Sequence, residues 1–459
     1  MEHNPKSIMN FNDTIVAPAT PLGGAIAIVR IEGERALEVA DKLFRSAKKD
    51  VRLNDSKGYT MTYGYIYDGE RRVDDVVVAV FRAPNSYTGG DMVEISCHGS
   101  GYIVGEIIRL AIAEGARAAT AGEFTKRAFL AGKMDLSQAE AVADVIAAEN
   151  RAALTLADTQ LRGAYSASLA ALRAELVRLA SLLELELDFS EEDVEFANRK
   201  ELIALLDNIE REIERLTTSF STGNAIKKGV AVAIVGKPNV GKSTLLNRIV
   251  GDDRAMVSDI AGTTRDTIEE SVTIDGVRFR FVDTAGLHQT GDELENMGIE
   301  RTRRAASEAQ IVVQLCEEPE EDILTITPEQ HLLRVINKCD LRNEEGTSLP
   351  HSQIPEGWIA ISAKYGEGVN ELLAAIRSKV DTGDLLRGET VVSNSRHYEA
   401  LIRAHEALLR AHEGLCNDLP TDFVAQDIRE VLGAIGEITG EVTSSDLLSE
   451  IFSKFCIGK

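Results

Sequence analysis

Residues 236–243 read GKPNVGKS, and they follow the apolar run Val230–Val235 and precede the helix-like stretch TLLNRIV. The pattern G-x-x-x-x-G-K-[ST] between a strand and a helix is a phosphate-binding loop, or P-loop. Its glycines let successive backbone N–H groups point at phosphate oxygens. Lys242 can reach the β- and γ-phosphates, and the Ser243 hydroxyl can ligate Mg²⁺. The stretch therefore predicts an α/β nucleotide-binding domain.

Three further motifs follow in order: DTAG at 283–286, NKCD at 337–340 and SAK at 362–364. The Asp340 carboxylate can accept hydrogen bonds from the N1–H and the amine of guanine. Adenine lacks that pair of donors, so ATP would leave the carboxylate unpaired. Together the motifs predict a guanine-nucleotide site. The members that these motifs supply are Asn239, Val240, Gly241, Lys242, Ser243, Thr244, Asp283, Thr284, Ala285, Gly286, Asn337, Lys338, Asp340, Ser362, Ala363 and Lys364.

Length, composition and net charge exclude several classes of protein. A chain of 459 residues with 44% apolar residues can form two to four domains with real cores. No apolar run reaches the ~18 residues of a membrane-spanning helix, and the first residues lack the apolar core of a signal peptide. Scattered cysteines indicate a reducing cytoplasm. The net charge of −24 argues against a broad nucleic-acid-coating surface.

The residue composition and the pattern of apolar residues change along the chain. The first ~120 residues mix strand-like and helical stretches and predict an independent α+β domain. From Phe124 the sequence is rich in Ala, Leu and Glu, and Ser221–Asn224 reads as a linker. We therefore predict four segments: 1–122, an N-terminal domain; 123–222, the first part of a helical domain; 223–381, the nucleotide domain; and 382–459, the second helical part. One helical bundle interrupted by an inserted α/β domain is the simplest interpretation.

Apolar residues at alternating three- and four-residue steps predict helices with one buried face. Three such stripes occur, in the first helical part, just before the nucleotide domain and near the C-terminus. Their members are Leu169, Leu172, Leu176, Leu179 and Leu183; Leu202, Leu206, Ile209, Ile213 and Leu216; and Val424, Ile428, Val431, Ile435 and Ile438. Within the nucleotide domain, Asp275-Gly276 between two strand-like runs predicts a β-hairpin.

Five segments carry a closer resemblance. They are DTIVA at 13–17, PNSYTGGDMVE at 84–94, GEFTKRAFLAGKMDLSQAEAVADVI at 122–146, VSDIAGTTRDT at 257–267 and the terminal FCIGK. With them the sequence resembles the bacterial tRNA-modification GTPases of the MnmE (TrmE) family over essentially its whole length. The nucleotide motifs would fit any P-loop GTPase, whereas GEFTKRAFL and FCIGK are far more specific.

The resemblance implies an N-terminal domain that binds folate and forms a homodimer, a discontinuous helical domain and an inserted GTPase domain. It implies that the chain acts with the flavoprotein MnmG, which would carry the FAD, in a heterotetramer. Together they would modify C5 of the wobble uridine U34 in the anticodon region of certain tRNAs. The carbon would come from a tetrahydrofolate derivative, and no membrane is involved.

The resemblance also implies ion and catalytic residues in the nucleotide domain. K⁺ would be held by Asn239 and by switch I oxygens of Ser258, Ile260 and Thr263, and it would supply positive charge at the β/γ-phosphate bridge, where other GTPases use an arginine finger. The resemblance adds the switch I residues Ser258, Asp259, Ile260, Ala261, Gly262, Thr263 and Thr264 to the GTP-binding site. Thr264 would join Ser243 in binding Mg²⁺. Leu287 stands where Ras-like enzymes have their glutamine, and Glu295 would orient the attacking water instead.

For folate, the matching positions are Arg30, Glu94, Lys133 and Lys459. A carboxylate suits the paired N–H donors of the pterin, and cations suit the glutamyl tail. Cys456 matches a cysteine that the family needs for tRNA modification. Without the resemblance these residues would be surface charges and an inert thiol.

Two alternatives remain at this stage. A ribosome-assembly GTPase of the Era or Der kind would use the same nucleotide motifs. Era-like proteins end in a basic KH domain and Der-like proteins have two GTPase domains, whereas here one P-loop precedes an acidic helical segment. A GTP-dependent scaffold without chemistry of its own is the third class.

Overall fold

The computed structural model describes residues 13–48, 51–188, 199–254, 269–282, 304–320, 322, 324–328, 330–341, 354–380, 390–417 and 419–459. The chain divides into two compact units. The first comprises residues 1–143, 161–173 and 429–459, and the second comprises residues 144–160 and 174–428. Within the described ranges, no helix combines the length and the apolar character that crossing a membrane would require.

The first unit is built on a seven-stranded sheet with the strand order β3-β4-β5-β6-β2-β1-β7. All neighbours are antiparallel except β1 and β7. The strands are β1 (Ile15–Pro18), β2 (Ile26–Glu32), β3 (Phe44–Ser46), β4 (Thr60–Asp68), β5 (Arg71–Phe81), β6 (Met92–His98) and β7 (Arg117–Ala118). Alternate residues of β5 are buried, as expected for a sheet with one face against a core.

Two helices, α1 (Ala36–Leu43) and α2 (Gly101–Ala113), pack with the strands in one apolar core that includes Val29, Ile95 and Ile107. A second core of the first unit joins Leu136 to the C-terminal residues Phe452 and Phe455. Helices α3 (Glu123–Leu130) and α12 (Ser445–Ser453) belong to the first unit. The residues of four further helices are divided between the two units: α4 (Leu136–Ala147), α5 (Arg151–Leu161), α6 (Ala164–Asp188) and α11 (Thr421–Thr439).

The second unit contains a six-stranded sheet with the strand order β13-β12-β11-β8-β10-β9. The strands are β8 (Val230–Val235), β9 (Glu269–Ile274), β10 (Val277–Val282), β11 (Ile311–Cys316), β12 (His331–Ile336) and β13 (Trp358–Ala360). All pairs are parallel except the edge hairpin β9–β10, whose turn residues Asp275 and Gly276 both have positive φ, 48° and 77°. The α/β prediction and the hairpin prediction are confirmed.

The helices of the second unit include α7 (Arg199–Lys228), α8 (Lys242–Arg254), α9 (Val369–Ser378) and α10 (Ser395–Cys416). Helices α7 and α10 pack antiparallel: Arg199 Nε donates to the Leu415 carbonyl at 3.1 Å, and the rings of Phe220 and Tyr398 stack at 4.2 Å. All fifteen residues of the three predicted apolar stripes are buried. The multidomain architecture predicted from the sequence, with α+β, helical and inserted α/β parts, is confirmed.

The predicted linker at Ser221–Asn224 is wrong, because α7 runs without a break to Lys228, and the predicted boundary at 222/223 lies inside this helix. Its polar and small residues suggested flexibility, but Gly223 is buried for a packing reason. A Cβ at Gly223 would collide with the carbonyl oxygen of Val392 and approach Val391 Cγ1 to 2.9 Å. The glycine lets the segment before α10 lie directly against α7.

We therefore predict that Gly223→Ala destabilises the protein, because the close approach of Val392 outweighs the gain of about 1 kcal/mol in helix propensity. Overpacking of this kind costs about 1–3 kcal/mol. Gly251→Ala in α8 is the matched control, since a Cβ there meets nothing within 4 Å. Urea unfolding followed by circular dichroism should show a lower midpoint for Gly223→Ala only; equal midpoints would contradict the packing role.

Candidate functional site

The P-loop lies at the carboxyl edge of the parallel sheet, between β8 and α8. Strand β8 is central and entirely buried, with β10 and β11 parallel on its two sides. Ligands of open α/β sheets bind at this edge. Asn239 and Gly241 have positive φ of 64° and 101°, so the loop turns back on itself before the helix begins. This curvature is what a phosphate cradle requires.

The Lys242 ammonium group lies over the loop. Its Nζ donates to the carbonyl oxygens of Gly236 at 2.8 Å and Lys237 at 2.9 Å. The side chains of Ser243 and Asn239 are exposed at the mouth of the loop. A cation, a hydroxyl and an amide oxygen therefore surround the space above the N-terminus of α8, where a bound phosphate is favoured. These groups fit a nucleoside triphosphate with its Mg²⁺.

The NKCD and SAK motifs meet the P-loop through one side chain. Asn337 follows β12, is 2% exposed, and its Nδ2 donates to the Val240 carbonyl at 2.8 Å. Its Oδ1 accepts from the backbone N–H of Ala363 at 2.9 Å. The three motifs, which lie within residues 236–364 of the sequence, are thus brought together by a single amide.

The residues that we predicted to recognise the base lie beside this amide. Ser362 Oγ donates to Asp340 Oδ1 at 2.7 Å, which orients the carboxylate that we predicted to read guanine. Lys338 has a positive φ of 63° and its Nζ lies 2.5 Å from Glu317 Oε1. Arg248 Nη2 donates to the Lys364 carbonyl at 2.6 Å, a contact that the sequence motifs did not reveal.

Several predicted residues of this site lie outside the described part of the chain. They are Ser258, Asp259, Ile260, Ala261, Gly262, Thr263, Thr264, Asp283, Thr284, Ala285, Gly286 and Glu295. Their assignments therefore stay predictions.

In the first unit, the structure brings together Arg30, Glu94 and the C-terminal tail. Arg30 and Glu94 are paired across β2 and β6, and Arg30 Nε and Nη2 donate to Glu94 Oε1 at 3.0 and 2.7 Å. Arg30 Nη1 donates to the Gly458 carbonyl at 3.0 Å. The tail is also held by a bridge between Ala121 and Ile457. The predicted residues Arg30 and Glu94 thus lie beside Gly458, the neighbour of Lys459.

Two aromatic rings complete the surroundings of Arg30. Its guanidinium carbon lies 5.5 Å from the centre of the Tyr87 ring and 5.3 Å from that of Phe124. Such cation–π contacts hold an arginine whose charge is largely desolvated. Both rings belong to segments that carry the family resemblance, PNSYTGGDMVE and GEFTKRAFL, but their contacts with Arg30 were not predicted.

Lys133 lies at the loop that contains Tyr87. Its Nζ donates to the Pro84 carbonyl at 2.9 Å. A cavity of about 500 Å³ opens beside this loop, within the usual range for small-molecule sites. Its lining residues are Glu32, Gly33, Glu34, Ala83, Thr88, Gly89, Gly90, Asp91, Arg127 and Ala131. None of the four predicted folate residues is among these, although Lys133 packs against Gly89.

A buried ionic network fixes α3 to the sheet. Arg127, 3% exposed, donates from Nη1 to Glu32 Oε2 at 2.7 Å and from Nη2 to Asp13 Oδ1 at 2.7 Å and Glu123 Oε1 at 3.1 Å. Burial raises the pKa of Glu32 despite the opposing charge of Arg127. Burial also acts to raise the pKa of Glu123, but hydrogen bonds from Arg117 and the Thr120 N–H outweigh it and bring the value to about 2. The network thus joins GEFTKRAFL to the DTIVA segment.

The thiol of Cys456 is exposed and free. Its backbone carbonyl accepts hydrogen bonds from the N–H groups of Gly122 at 3.4 Å and Lys459 at 3.3 Å. The tail around Cys456 is therefore anchored through its backbone, which leaves the side chain accessible.

We predict that Asn337→Ala lowers GTP affinity roughly tenfold to a hundredfold, because it leaves the Val240 carbonyl and the Ala363 N–H without their partner, at a cost of about 1–3 kcal/mol. Asn247→Ala, an exposed asparagine on α8, is the control. Titration with a fluorescent GTP analogue measures both variants. Unchanged affinity in Asn337→Ala would show that the amide is not essential to the site.

Family models match most of the chain. The model for the GTP-binding protein TrmE N-terminus matches residues 14–133, and that for the MnmE helical domain matches residues 136–456. Among solved structures, the G domain of FeoB from Methanococcus jannaschii aligns with 32% of this chain and 96% of its own, at 22% identity. Its TM-score of 0.23 is too low to carry an argument.

Curated relatives match almost end to end. The tRNA modification GTPase MnmE of Christiangramia forsetii is 50% identical over 98% of this chain and 100% of its own. Those of Flavobacterium psychrophilum and Bacteroides thetaiotaomicron are 48% and 47% identical, over 98% and 97% of this chain and 100% and 99% of their own. With this identity over nearly the whole length, the chain belongs to the MnmE family of tRNA modification GTPases.

Proposed function

We propose that this protein hydrolyses GTP and acts in tRNA modification, as the names of its relatives state for them. The observation that carries the proposal is the convergence of the P-loop, NKCD and SAK motifs on Asn337. A carboxylate positioned by Ser362 suits guanine, and Lys242 with Ser243 suits a triphosphate with Mg²⁺. The match over the full length favours this function over an Era- or Der-like assembly GTPase.

We further propose that K⁺ is the activating cation. Asn239 supports this, because its exposed amide lies in the P-loop and its left-handed backbone conformation turns the loop at that point. In this proposal Ser258, Ile260 and Thr263 complete the K⁺ site, Thr264 joins Ser243 at Mg²⁺, and Glu295 positions the attacking water. The cation would stabilise the charge that develops between the β- and γ-phosphates.

The proposed partners follow from the family. We propose a homodimer formed through the N-terminal domain, which pairs with the flavoprotein MnmG in the cytoplasm, with FAD in MnmG. The complex would aminomethylate or carboxymethylaminomethylate the wobble uridine of certain tRNAs. The division into segments 1–122, 123–222, 223–381 and 382–459 also remains a proposal. Because the net charge is −24, we expect the partner to supply much of the positive surface that tRNA requires.

For the one-carbon donor, we propose that a tetrahydrofolate derivative binds around Arg30, Glu94, Lys133 and Lys459. The hydrogen bond between Arg30 and Gly458 supports this, since it holds the tail beside the Arg30–Glu94 pair. When bound, the folate would supply the carbon. The protein residues would orient it: a carboxylate for the pterin N–H groups and cations for the glutamyl carboxylates. Cys456, exposed on the same tail, would act in the modification itself.

The K⁺ proposal predicts GTP hydrolysis at least about tenfold faster in KCl than in NaCl at equal Mg²⁺, because the smaller Na⁺ cannot span the amide, the switch oxygens and the phosphates. Asn239→Ala should hydrolyse GTP at the same slow rate in both salts, while Asn247→Ala keeps the difference. Phosphate release at saturating GTP gives the rates. A wild-type protein with equal rates in both salts would refute the ion site.

The folate proposal predicts that removing Ile457–Lys459 weakens binding of 5-formyltetrahydrofolate at least about tenfold, measured by calorimetry. GTPase activity should stay intact, since it belongs to the second unit. The deletion stops after Cys456 because Phe455 is buried in the core. Lys459→Ala should show part of the loss, and Lys454→Ala, which changes an exposed lysine paired with Glu450, should show none. Wild-type affinity in the truncated protein would exclude the tail from the site.

A further inference from the structure

Away from the nucleotide and Arg30 sites, helices α7 and α10 hold a cluster of metal-ligating side chains. Asp207 and Glu210 lie three residues apart on α7, so they share one face of that helix. His412 projects from α10, and the ligand atoms of these three residues all lie within 4.8 Å of one another. We name this group the α7–α10 cluster. Neither the nucleotide motifs nor the folate proposal uses it.

Two further residues of α10 approach the cluster. His405, seven residues or about two turns before His412, places its Nε2 4.0 Å from Glu210 Oε1. Cys416, one turn after His412, has its Sγ 3.8 Å from His412 Nδ1. The other nitrogen of His412, Nε2, lies 3.0 Å from Asp207 Oδ1. Imidazole nitrogens and carboxylate oxygens therefore face each other across the helix pair.

The charge balance of the cluster favours a cation. Among the described residues, neither Asp207 nor Glu210 forms an ion pair with a lysine or an arginine; the basic side chains within 4.0 Å of their carboxylate oxygens are the imidazoles of His412 and His405. His405, Glu210 and His412 are about 70% buried at their side chains. The side chain of Asp207 is 52% exposed, and its carboxylate lies close to that of Glu210. The two negative charges repel each other, and a cation between them would offset this repulsion. A single Asp–His hydrogen bond would need neither Glu210 nor His405.

We propose that Asp207, Glu210 and His412 bind one divalent transition-metal ion of the Zn²⁺ type, with His405 as the nearest further nitrogen ligand. Tetrahedral Zn²⁺ with bonds of about 2.0–2.2 Å places its ligand atoms about 3.3–3.6 Å apart. The present spacings, from 3.0 Å to at most 4.8 Å, bracket this value. Imidazole ligands favour Zn²⁺, Co²⁺ or Ni²⁺ over Mg²⁺ or Ca²⁺, which prefer oxygen ligands alone.

Such an ion would cross-link two helices that are already antiparallel neighbours. Helix α7 ends at Lys228 and the chain enters β8 at Val230, the strand that leads into the P-loop. The metal would thus fix the helix that precedes the nucleotide-binding strand against α10. Because the ligands come from two helices rather than from one loop, binding adds stability to the packed helix pair.

The test uses untagged full-length protein with excess Mg²⁺ and GDP, so that the nucleotide site is occupied. Binding of Co²⁺ is measured from the visible d–d absorption of the bound ion. Added Zn²⁺ should displace the bound Co²⁺ and remove this absorption. We expect one Co²⁺ per chain for the wild-type protein. Asp207→Asn and His412→Ala should weaken binding at least about tenfold, because even the loss of a group that only hydrogen-bonds to a metal ligand costs about that much. His331→Ala, which removes an exposed histidine of β12, should bind like the wild type.

Asp207→Asn serves as the conservative variant, because its amide oxygen can still accept the hydrogen bond of His412 and the helix contact is preserved. Far-UV circular dichroism and GTP binding verify that both variants are folded. The proposal is overturned if the wild-type protein binds no Co²⁺ at micromolar concentration. It is equally overturned if folded Asp207→Asn and His412→Ala bind Co²⁺ as tightly as His331→Ala does.

Discussion

The nucleotide site depends on the Asn337 side chain. This amide is buried, and its two ends hydrogen-bond to Val240 in the P-loop and to Ala363 after β13. An aspartate could not donate and a leucine could do neither, so only a carboxamide satisfies both backbone groups. Gly241 has no Cβ for the same reason: a side chain there would collide with Asn337 Nδ2. The asparagine of NKCD can thus approach the P-loop only because residue 241 is a glycine.

In the first unit, Arg127 and Arg30 are the buried side chains that link distant segments, as Asn337 does in the nucleotide site. Each of these arginines joins segments that are distant in sequence: Arg127 joins α3 to Asp13 and Glu32, and Arg30 joins β2 to Gly458. Buried charges of this kind are costly unless every partner is present. GEFTKRAFL and DTIVA are thus linked through Arg127 and Asp13, and FCIGK is linked to β2 through the hydrogen bond of Arg30 with Gly458.

The sequence predicted what depends on periodicity and on short motifs. The three apolar stripes are buried, and the Asp275-Gly276 hairpin is present. The linker prediction at Ser221–Asn224 was wrong because the glycine in it has a role in tertiary packing. Gly223 has no Cβ, and this lets the Val392 carbonyl, distant in sequence, lie against α7. Contacts such as Arg30 with Gly458, 428 residues apart, have no local signal in the sequence, and the family resemblance implied only that Arg30 and Lys459 belong to one site.

The central claim is that Asp340 reads guanine through its two acceptor oxygens, and the nucleotide selectivity of Asp340→Asn tests it most directly. An asparagine offers one acceptor and one N–H donor, which matches xanthine, where a carbonyl replaces the guanine amine. Competition binding with GTP, XTP and ATP should show wild-type preference for GTP and a reversal to XTP in the variant, with ATP weak in both. If Asp340→Asn still preferred GTP over XTP, Asp340 would not be the residue that recognises the base.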